Sequence, residues 1–325
     1  MRILFCSAGR RCELLKDFRK SMEPGSWLVA ADLNPYAPAL YMADARYLVP
    51  RIDDPGYIPA ILDICRKERI QAVTTLIDPE IALLATHREE FATLGVEVLA
   101  PYLPTARLCF DKFEMFRYLC KKGIPTVMTW GDLPSFTHVL EKGEVSFPVF
   151  VKPRTGSGSV GARKIFSMEA LAEAMAADPG LIIQEFMDCL DLDADVYIDT
   201  VSHKAVAAFS KKKLETRIGG ASKTVSFKDP ALFAFIEQIV EVLDFNGPVD
   251  MDFFCREGHY YLSEVNPRFG GAYLHAYGAG VDFIRCIENN LKGIANPPAL
   301  GQYEEGVIMM MYDSVIILRP GELAQ

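Results

Sequence analysis

The sequence predicts two parts of different architecture, an α/β domain on a parallel sheet followed by an α+β domain with antiparallel sheets. Three observations support this fold class. Over roughly the first hundred residues, short apolar runs alternate with helix-period segments, the pattern of βαβ units. Later apolar runs come in pairs, as in β-hairpins. The 325 residues are half apolar, enough for about two domains of roughly 150 residues each.

Strands and helices of the first part follow one another along the chain. The expected strands are RILFCSA, SWLVAAD and AVTTLI. The expected helices are the segment from about Glu13, the segment with Ile58, Ile61, Leu62 and Cys65, and residues 79–93. After VEVLAP, Pro101 and Pro104 interrupt the pattern and place a boundary near residue 105. We therefore expect an α/β domain over residues 1–106 and a second domain over residues 107–325.

The second part begins with a helix over residues 110–122, ended by Gly123 and Pro125. Helices are also expected near residues 168–177 and 230–243. Paired strands alternate with these helices, which predicts an antiparallel sheet instead of a continued parallel one. The expected pairs are PVFVKP with ARKIFS, DADVYIDT with HKAVAAFS, and PVDMDFFC with YYLSEV.

Composition excludes several classes of function. The chain has 34 basic and 43 acidic residues, a formal charge of −9, which disfavours nucleic acid as a partner. No segment approaches the roughly 18 apolar residues of a membrane span, and the N-terminal apolar run is too short for a signal peptide, so we expect neither. Eight cysteines are scattered without a CxxC pair, which predicts reduced core residues. We expect a cytoplasmic protein.

The turn after the first strand, SAGRR, invites comparison with dinucleotide-binding turns. Gly9 is its only glycine, so the spacing that lets a backbone approach a pyrophosphate is missing, and NAD or FAD is disfavoured. Asp32, which ends the next strand, is either a substrate-side or a structural acid, and the roles of Arg10 and Arg11 stay open. The segment GGASKT lacks the strand-to-helix context of a phosphate loop.

A glycine-rich run, RTGSGSVGARK, lies between two expected strands. Such a run can lay backbone N–H groups over a polyphosphate, and the alternative is a flexible, solvated turn. Lys152 favours phosphate binding, because it ends an apolar run where an unpaired charge would be costly to bury. The predicted phosphate flap consists of Gly156, Ser157, Gly158 and Gly161.

The strongest constellation is the hairpin over residues 248–268. A turn at Glu257–Gly258 brings Asp252 close to Glu264 across the strands, and Asn266 lies on the same face as Glu264. Opposed carboxylates repel each other unless a cation lies between them, and hard oxygen ligands suit Mg²⁺ or Mn²⁺. The five histidines lack ligand spacing, so zinc fits poorly. The alternative is a solvated acidic hairpin.

Between these motifs, the apolar run LIIQEFM leads into an acidic strand, DLDADVYID. In extended conformation, Glu185, Phe186 and Met187 can offer backbone groups to an adenine edge, and Asp191 can hold ribose hydroxyls. Composition alone does not assign these roles. The acids of DLDAD are otherwise interpreted as a solvent-facing strand face.

Taken in order, Asp111-Lys112, PVFVKP with its glycine run, IIQEFM, VDMDF and SEVNPR resemble the ATP-grasp superfamily, in particular the carbamoyl phosphate synthase large chain and related carboxylate–amine ligases. The first hundred or so residues are similar to the family's preATP-grasp domain, a Rossmann-like parallel sheet. The resemblance implies an ATP-grasp domain over residues 107–325. Its small lid subdomain would span about 126–190 and its larger C-terminal subdomain about 191–325.

The resemblance also implies nucleotide-binding roles. Lys112 and Lys152 match the basic groups that contact ATP phosphates, and Lys152 lies deep in the cleft, where it counts among the catalytic residues. Glu185 to Met187 match the adenine hinge. Asp191 matches the residue that holds the ribose.

Metal-binding and catalytic roles follow from the same resemblance. Asp252, Glu264 and Asn266 match the ligands of Mg²⁺ or Mn²⁺. Arg268 matches the basic residue that faces the transferred phosphoryl group. Arg217 lies where relatives place a substrate-side arginine.

We therefore predict an ATP- and Mg²⁺-dependent ligase. A carboxylate would attack the γ-phosphate to give an acyl phosphate, from which an amine or similar nucleophile displaces phosphate; positioning and charge neutralisation suffice for the first step. Its expected partners are small-molecule carboxylate and amine substrates, and a homodimer is what the resemblance suggests. The alternatives are a split-gene carbamoyl phosphate synthase subunit that phosphorylates bicarbonate or carbamate, a non-catalytic ATP-binding regulatory module, and a nicotinamide oxidoreductase.

Overall fold

A computed structural model describes residues 1–156, 161–217 and 220–324. They form a five-stranded, a four-stranded and a six-stranded sheet with their helices. Ser157 and Gly158 of the predicted phosphate flap lie outside the described residues. Within the described ranges, no helix has both the length and the apolar character needed to cross a membrane.

The first sheet is parallel, with the strand order β3-β2-β1-β4-β5. Its elements are β1 (Arg2–Cys6), α1 (Cys12–Ser21), β2 (Trp27–Asp32), a 3₁₀ helix (Pro38–Met42), β3 (Ala45–Leu48), α2 (Tyr57–Glu68), β4 (Ala72–Thr75), α3 (Asp78–Thr86), α4 (Arg88–Thr93) and β5 (Glu97–Val98). The predicted α/β architecture is confirmed. The single helix predicted over 79–93 is instead two helices, because His87 between them leaves helical geometry at φ −99° and ψ 13°.

Two helices, α5 (Leu103–Phe110) and α6 (Lys112–Lys122), follow the first sheet. The helix predicted from residue 110 begins only at Lys112, because Asp111 is its N-cap and accepts hydrogen bonds from the backbone N–H groups of Phe113 and Glu114. Gly123 ends α6 in the left-handed conformation, at φ 73°, as its position predicts.

The four-stranded sheet lies within the region predicted as the lid subdomain and has the antiparallel order β6-β9-β7-β8. Its elements are β6 (Thr129–Trp130), α7 (Leu133–Glu141), β7 (Val149–Pro153), β8 (Arg163–Ile165), α8 (Met168–Ala177) and β9 (Leu181–Glu185). Phe136 and Leu171 from the helices pack against Val151 and Ile183 from the strands in one buried cluster. The sheet therefore has its own small core.

The six-stranded antiparallel sheet has the order β14-β13-β10-β11-β12-β15. Its elements are β10 (Leu190–Ile198), β11 (Ala205–Arg217), β12 (Gly220–Phe227), α9 (Pro230–Val242), β13 (Gly247–Arg256), β14 (His259–Asn266), α10 (Tyr273–Gly278), α11 (Phe283–Leu291) and β15 (Ile308–Met310). Leu192, Met251 and Phe253 share a buried cluster with Ile236 and Ile239 of α9. One face of the sheet is therefore apolar. Two of the predicted strand pairs, β10–β11 and β13–β14, lie in this sheet, and the third, β7–β8, lies in the four-stranded sheet.

A third buried cluster joins the parallel sheet to the C-terminal helices. Phe18 of α1 meets Phe269 edge-to-face, with ring centroids 5.5 Å apart, and Phe269 contacts Tyr273 of α10 at 4.9 Å. All three rings belong to one core with Phe283 and Ile287 of α11. The loop that follows β14 is therefore anchored in apolar packing between the two parts of the chain.

All eight cysteines are free, as predicted. Cys6 and Cys65 are buried, but Cys120 is exposed, so the prediction of a core position is wrong for that residue.

Asp199 is a buried acid that organises the loop after β10. Its carboxylate accepts hydrogen bonds from the side chains of Asn290 at 2.7 Å and Asn296 at 2.8 Å, and from the backbone N–H of Ser202 at 2.8 Å. Burial raises the pKa of Asp199, but these hydrogen bonds outweigh it and hold the pKa at about 2.

This depressed pKa predicts a pH-dependent contribution to stability. An unfolded aspartate has a pKa of about 4, so the ionised carboxylate stabilises the fold above that pH, and the stabilisation is lost as the pH falls towards 2. In urea denaturation, we expect the advantage of the wild type over Asp199→Asn to be constant above pH 5 or so and to shrink between about pH 4 and pH 2. A difference that stays constant down to the lowest pH would contradict this account.

Candidate active site

Opposed polar side chains lie on the second face of the six-stranded sheet, along the β13–β14 hairpin. Asp252 is paired with Glu264, and Asp250 with Asn266. Directly opposed residues of antiparallel strands have Cβ atoms about 5 Å apart. The predicted approach of Asp252 to Glu264 is therefore present, with Asn266 two residues further along the same face.

Two lysines approach Glu264 from other elements. The Nζ of Lys112, at the start of α6, lies 3.7 Å from Oε1, and the Nζ of Lys152, on β7, lies 3.8 Å from Oε2. Lys112 also donates a hydrogen bond of 2.5 Å to the carbonyl of Gly156. Burial lowers the pKa of Lys152; Glu264 opposes this shift and Lys112 adds to it. The structure thus brings together both predicted phosphate-binding lysines and one predicted metal ligand.

Lys213 on β11 is a site residue that the sequence analysis missed. Its Nζ lies 2.8 Å from Oδ1 of Asp191 and 2.5 Å from Oδ1 of Asp252. Burial acts to lower its pKa, but these acids and Asp193 raise the pKa above its usual value. The period of two in SKKKLE, set against the same period in DLDAD, was the signal that could have predicted this pairing.

Two residues before Lys213, the fully buried Lys211 pairs with two more acids. Its Nζ lies 2.9 Å from Oδ1 of Asp193 and also contacts Asp195. The interpretation of these acids as a solvent-facing row is wrong, since only 5% of Asp193 and 1% of Asp195 is exposed. The reason is that β10 lies inside the sheet, between β13 and β11, and that the loop at Gly270 covers this face. Burial raises the pKa of Asp195 to about 6.

Gly270 covers this buried acid cluster. A Cβ at this position would lie 2.6 Å from Oδ1 of Asp250 and 2.7 Å from Oδ1 of Asp195, closer than atoms can pack. We expect Gly270→Ala to lower the free energy of unfolding by about 1–3 kcal/mol, measured by chemical denaturation. Gly278→Ala is the matched control, because a Cβ there would meet nothing within 4 Å. Equal stability of the two variants would contradict tight packing over the acids.

The two predicted catalytic arginines lie in different places. Arg268 follows β14, and its Nε and Nη2 lie 2.9 Å and 3.0 Å from the two carboxylate oxygens of Asp78. Arg217 ends β11, four residues beyond Lys213, which corresponds to roughly 13 Å along a strand. Its side chain is 65% exposed and lies 3.6 Å from Asp313. The structure does not bring Arg217 to the cluster, because the end of its strand extends past the sheet face that holds the site.

The predicted adenine hinge follows β9. Glu185 pairs with Arg256 at 2.5 Å, the ring centroid of Phe186 lies 3.4 Å from the Nζ of Lys164, and Met187 is buried. These side chains have partners within the protein, so what the segment can offer a ligand is its backbone and the face of the aromatic ring.

Asp32 has a structural contact, in agreement with one of its two interpretations. Its carboxylate accepts hydrogen bonds from the backbone N–H groups of Gly9 at 2.8 Å and Asn34 at 2.9 Å. Arg10 is exposed. Gly161 has φ 77°, in the left-handed region that glycine favours.

Glu264 and Val265 line two adjoining clefts. The first also includes Lys112, Thr129 and Gln184, towards the four-stranded sheet; the second includes Asp78, Gly156 and Asn266, towards the parallel sheet. Of the predicted nucleotide and metal residues, these two clefts are lined by Lys112, Gly156, Glu264 and Asn266.

The donor chemistry decides whether this site suits a divalent ion. In the part of the chain that the structure describes, no group of three or more His, Cys, Asp or Glu side chains is arranged to hold a metal. Asp252, Glu264 and Asn266 nonetheless supply two carboxylates and an amide oxygen at neighbouring register positions. Hard oxygen donors, completed by water or phosphate, fit Mg²⁺ or Mn²⁺.

The chain combines a parallel α/β domain with two antiparallel sheets, and lysines and carboxylates meet between them. This combination is typical of enzymes that bind nucleotide phosphates. A family profile described as "ATP-grasp domain" matches residues 109–272, and one described as "PylC-like, N-terminal domain" matches residues 3–99. The chain belongs to the ATP-grasp family.

Known relatives extend this finding. D-alanine–D-alanine ligase of Streptococcus uberis is 28% identical over 193 residues, which cover 51% of this chain and 55% of that protein. The carbamoyl phosphate synthase large chain of Thermomicrobium roseum is 23% identical over 195 residues, 55% of this chain and 18% of that protein. The chain therefore spans about half of the former and under a fifth of the latter.

Among solved structures, the biotin carboxylase domain of Hydrogenobacter thermophilus 2-oxoglutarate carboxylase, in complex with MgADP and bicarbonate, has a TM-score of 0.72. It is 16% identical, and the match covers 94% of this chain and 73% of that one. The predicted family and fold class are confirmed. Ligases are among the relatives of this chain, and the solved neighbour holds MgADP.

Proposed function

We propose that this chain activates a carboxylate as an acyl phosphate, at the expense of ATP, for attack by an amine or similar nucleophile. One observation carries the proposal: Lys112 and Lys152 converge on the carboxylate of Glu264, a side chain that lines a cleft together with Asn266. Two cations and hard oxygen ligands at one point are what phosphoryl transfer requires, because its barrier is lowered by positioning and charge neutralisation.

The lysines, Arg268 and the oxygen ligands of the cleft would have different roles in this reaction. Lys112 and Lys152 would bind phosphate oxygens, and Arg268 would face the transferred phosphoryl group. Asp252, Glu264 and Asn266 would hold the divalent ion, which when bound neutralises charge on the nucleotide phosphates.

The remaining predicted residues would hold the rest of the nucleotide. The segment from Glu185 to Met187 would contact the adenine, and Asp191 the ribose. The flap from Gly156 to Gly161, which includes the described Gly156 and Gly161, would cover the phosphates. Arg217, which is 65% exposed, would need a movement of its strand end to reach a substrate.

A substrate panel tests the proposal. With Mg²⁺ and ATP present, we expect at least one pairing of a carboxylate with an amine to raise ADP release above the background. We also expect MgATP to raise the melting temperature, which NAD should not do. Stabilisation by MgATP with no ADP from any pairing would favour a regulatory ATP-binding module. Stabilisation by NAD alone would favour an oxidoreductase.

The match to a carbamoyl phosphate synthase large chain supports a second candidate, a separate subunit that phosphorylates bicarbonate or carbamate. It predicts ADP release that depends on bicarbonate and needs no organic carboxylate. Light scattering of the purified chain tests the predicted homodimer.

A further inference from the structure

We propose that the first domain takes part in catalysis by holding Arg268 in place, with Asp78 and Arg11 as positioning residues. We call these three side chains the arginine clamp. The inference rests on the proposed function, because it takes Arg268 as the group that faces the transferred phosphoryl.

Asp78 holds Arg268 from one side. Nη2 of Arg268 donates a hydrogen bond of 3.0 Å to Oδ2, and Nε lies 2.9 Å from Oδ1 as an ion-pair contact that lacks hydrogen-bond geometry. Only 14% of the Arg268 side chain and 11% of the Asp78 side chain is exposed. A buried ion pair with one hydrogen bond and a second close contact restrains the guanidinium more than an exposed pair does.

Arg11 holds the same loop from the other side. Its Nη2 donates to the carbonyl of Phe269 at 2.5 Å, and Nη1 of Arg268 donates to that same oxygen at 3.1 Å. The Nη1 of Arg11 lies 3.5 Å from where a Cβ of Gly271 would stand. The ring of Phe269 is 1% exposed. The shared carbonyl therefore has little freedom to move.

The charges explain why both positioning residues are needed. Arg11 and Arg268 are close enough to repel each other: burial and then Arg268 lower the pKa of Arg11 to about 10. The negative charges of Asp250 and Asp78 offset this repulsion, because they act to raise the pKa of Arg11. Asp250 is also close to Arg268, with 3.9 Å between its Oδ2 and Nη1 of the arginine. Without the charge of Asp78, we expect the Arg268 guanidinium to turn away from its present orientation.

Asp78 and Arg11 belong to two loops at one edge of the parallel sheet. Arg11 follows β1, and Asp78 begins α3 after β4. Parallel strands bring the residues after their carboxyl ends to a common edge. Arg11 and Asp78 at this edge of the first domain contact the loop after β14. Through these contacts the first domain can position a residue of a nucleotide site that lies in the second domain.

Binding of a transition-state mimic tests the clamp without knowledge of the substrate. We expect Asp78→Asn to weaken binding of MgADP with aluminium fluoride at least tenfold in calorimetry, while the dissociation constant for MgADP alone changes less than about twofold. Asp78→Glu should recover part of the loss. Asp53→Asn, which removes an exposed partner of Arg51 in the same domain, should change neither constant.

A second measurement reports the clamp independently of any ligand. In protein with ¹⁵N-labelled arginine, the Nη2–H of Arg268, which donates to Asp78 and is identified by its loss in Arg268→Lys, should exchange with solvent at least about tenfold faster in Asp78→Asn than in the wild type. Arg11→Lys should act in the same direction, because a lysine lacks the Nη2 that donates to the carbonyl of Phe269.

The outcomes are separable. Unchanged exchange, or equal loss of affinity for MgADP and for its fluoride complex, would overturn the clamp. If the wild type binds no MgADP at all, the proposed function fails, and the exchange measurement still decides whether Asp78 and Arg11 hold Arg268.

Discussion

Lys211→Met is expected to lower the free energy of unfolding by about 3–5 kcal/mol at neutral pH. Lys211 is fully buried, with its Nζ 2.9 Å from Asp193 and in contact with Asp195. Methionine has a similar length, so the change removes a charge without leaving a large cavity. Two buried carboxylates then lack a counter-charge beside Asp250, whose pKa burial and the neighbouring acids already raise well above the usual value.

Lys212→Met is the matched control for this prediction. The two lysines are neighbours on β11, but Lys212 is exposed and points to the opposite face, so its loss should change stability by less than about 0.5 kcal/mol. Urea denaturation at pH 7 measures both.

The loss for Lys211→Met should also become smaller at pH 5. Lower pH neutralises the carboxylates that have lost their partner, and a protonated acid costs less to bury than a charged one. Equal stability of the two methionine variants at pH 7 would show that the buried acids are already protonated in the wild type.

Glu264→Gln is expected to reduce substrate-dependent ADP release by at least about a hundredfold, with the fold retained. Glutamine keeps the shape of the side chain but removes the charge that faces Lys112 and Lys152 and that would bind the divalent ion. The lysine side chains are only 10% and 11% exposed, so the loss of their counter-charge should also lower the melting temperature. ADP release and thermal melting, each titrated with Mg²⁺, measure the two effects.

The control for this variant lies on the same hairpin. Glu257 is exposed in the turn, so Glu257→Gln removes the same charge outside the cleft and should leave turnover unchanged. ADP production by Glu264→Gln at the wild-type rate would refute the assignment of Glu264. If Glu257→Gln loses activity equally, the effect belongs to the net charge of the hairpin and not to the site.

What could be predicted from the sequence was local. Asp252 and Glu264 are joined by a short turn at Glu257–Gly258, so the period of two and the position of the turn sufficed to place them opposite each other. Lys152 was predictable for a similar reason, since a charge at the end of an apolar strand needs a polar partner close by.

Packing between distant segments decided the rest. The burial of Asp193 depended on β10 lying between β13 and β11, and the exposure of Arg217 on where β11 leaves the site. Arg11 reaches a carbonyl 258 positions away, and Arg268 an acid 190 positions away. Periodicity determines which side chains share a face of one strand or hairpin, but it carries no information about which face another domain will cover. Those contacts exist only once the sheets and the apolar core around Phe269 have packed together.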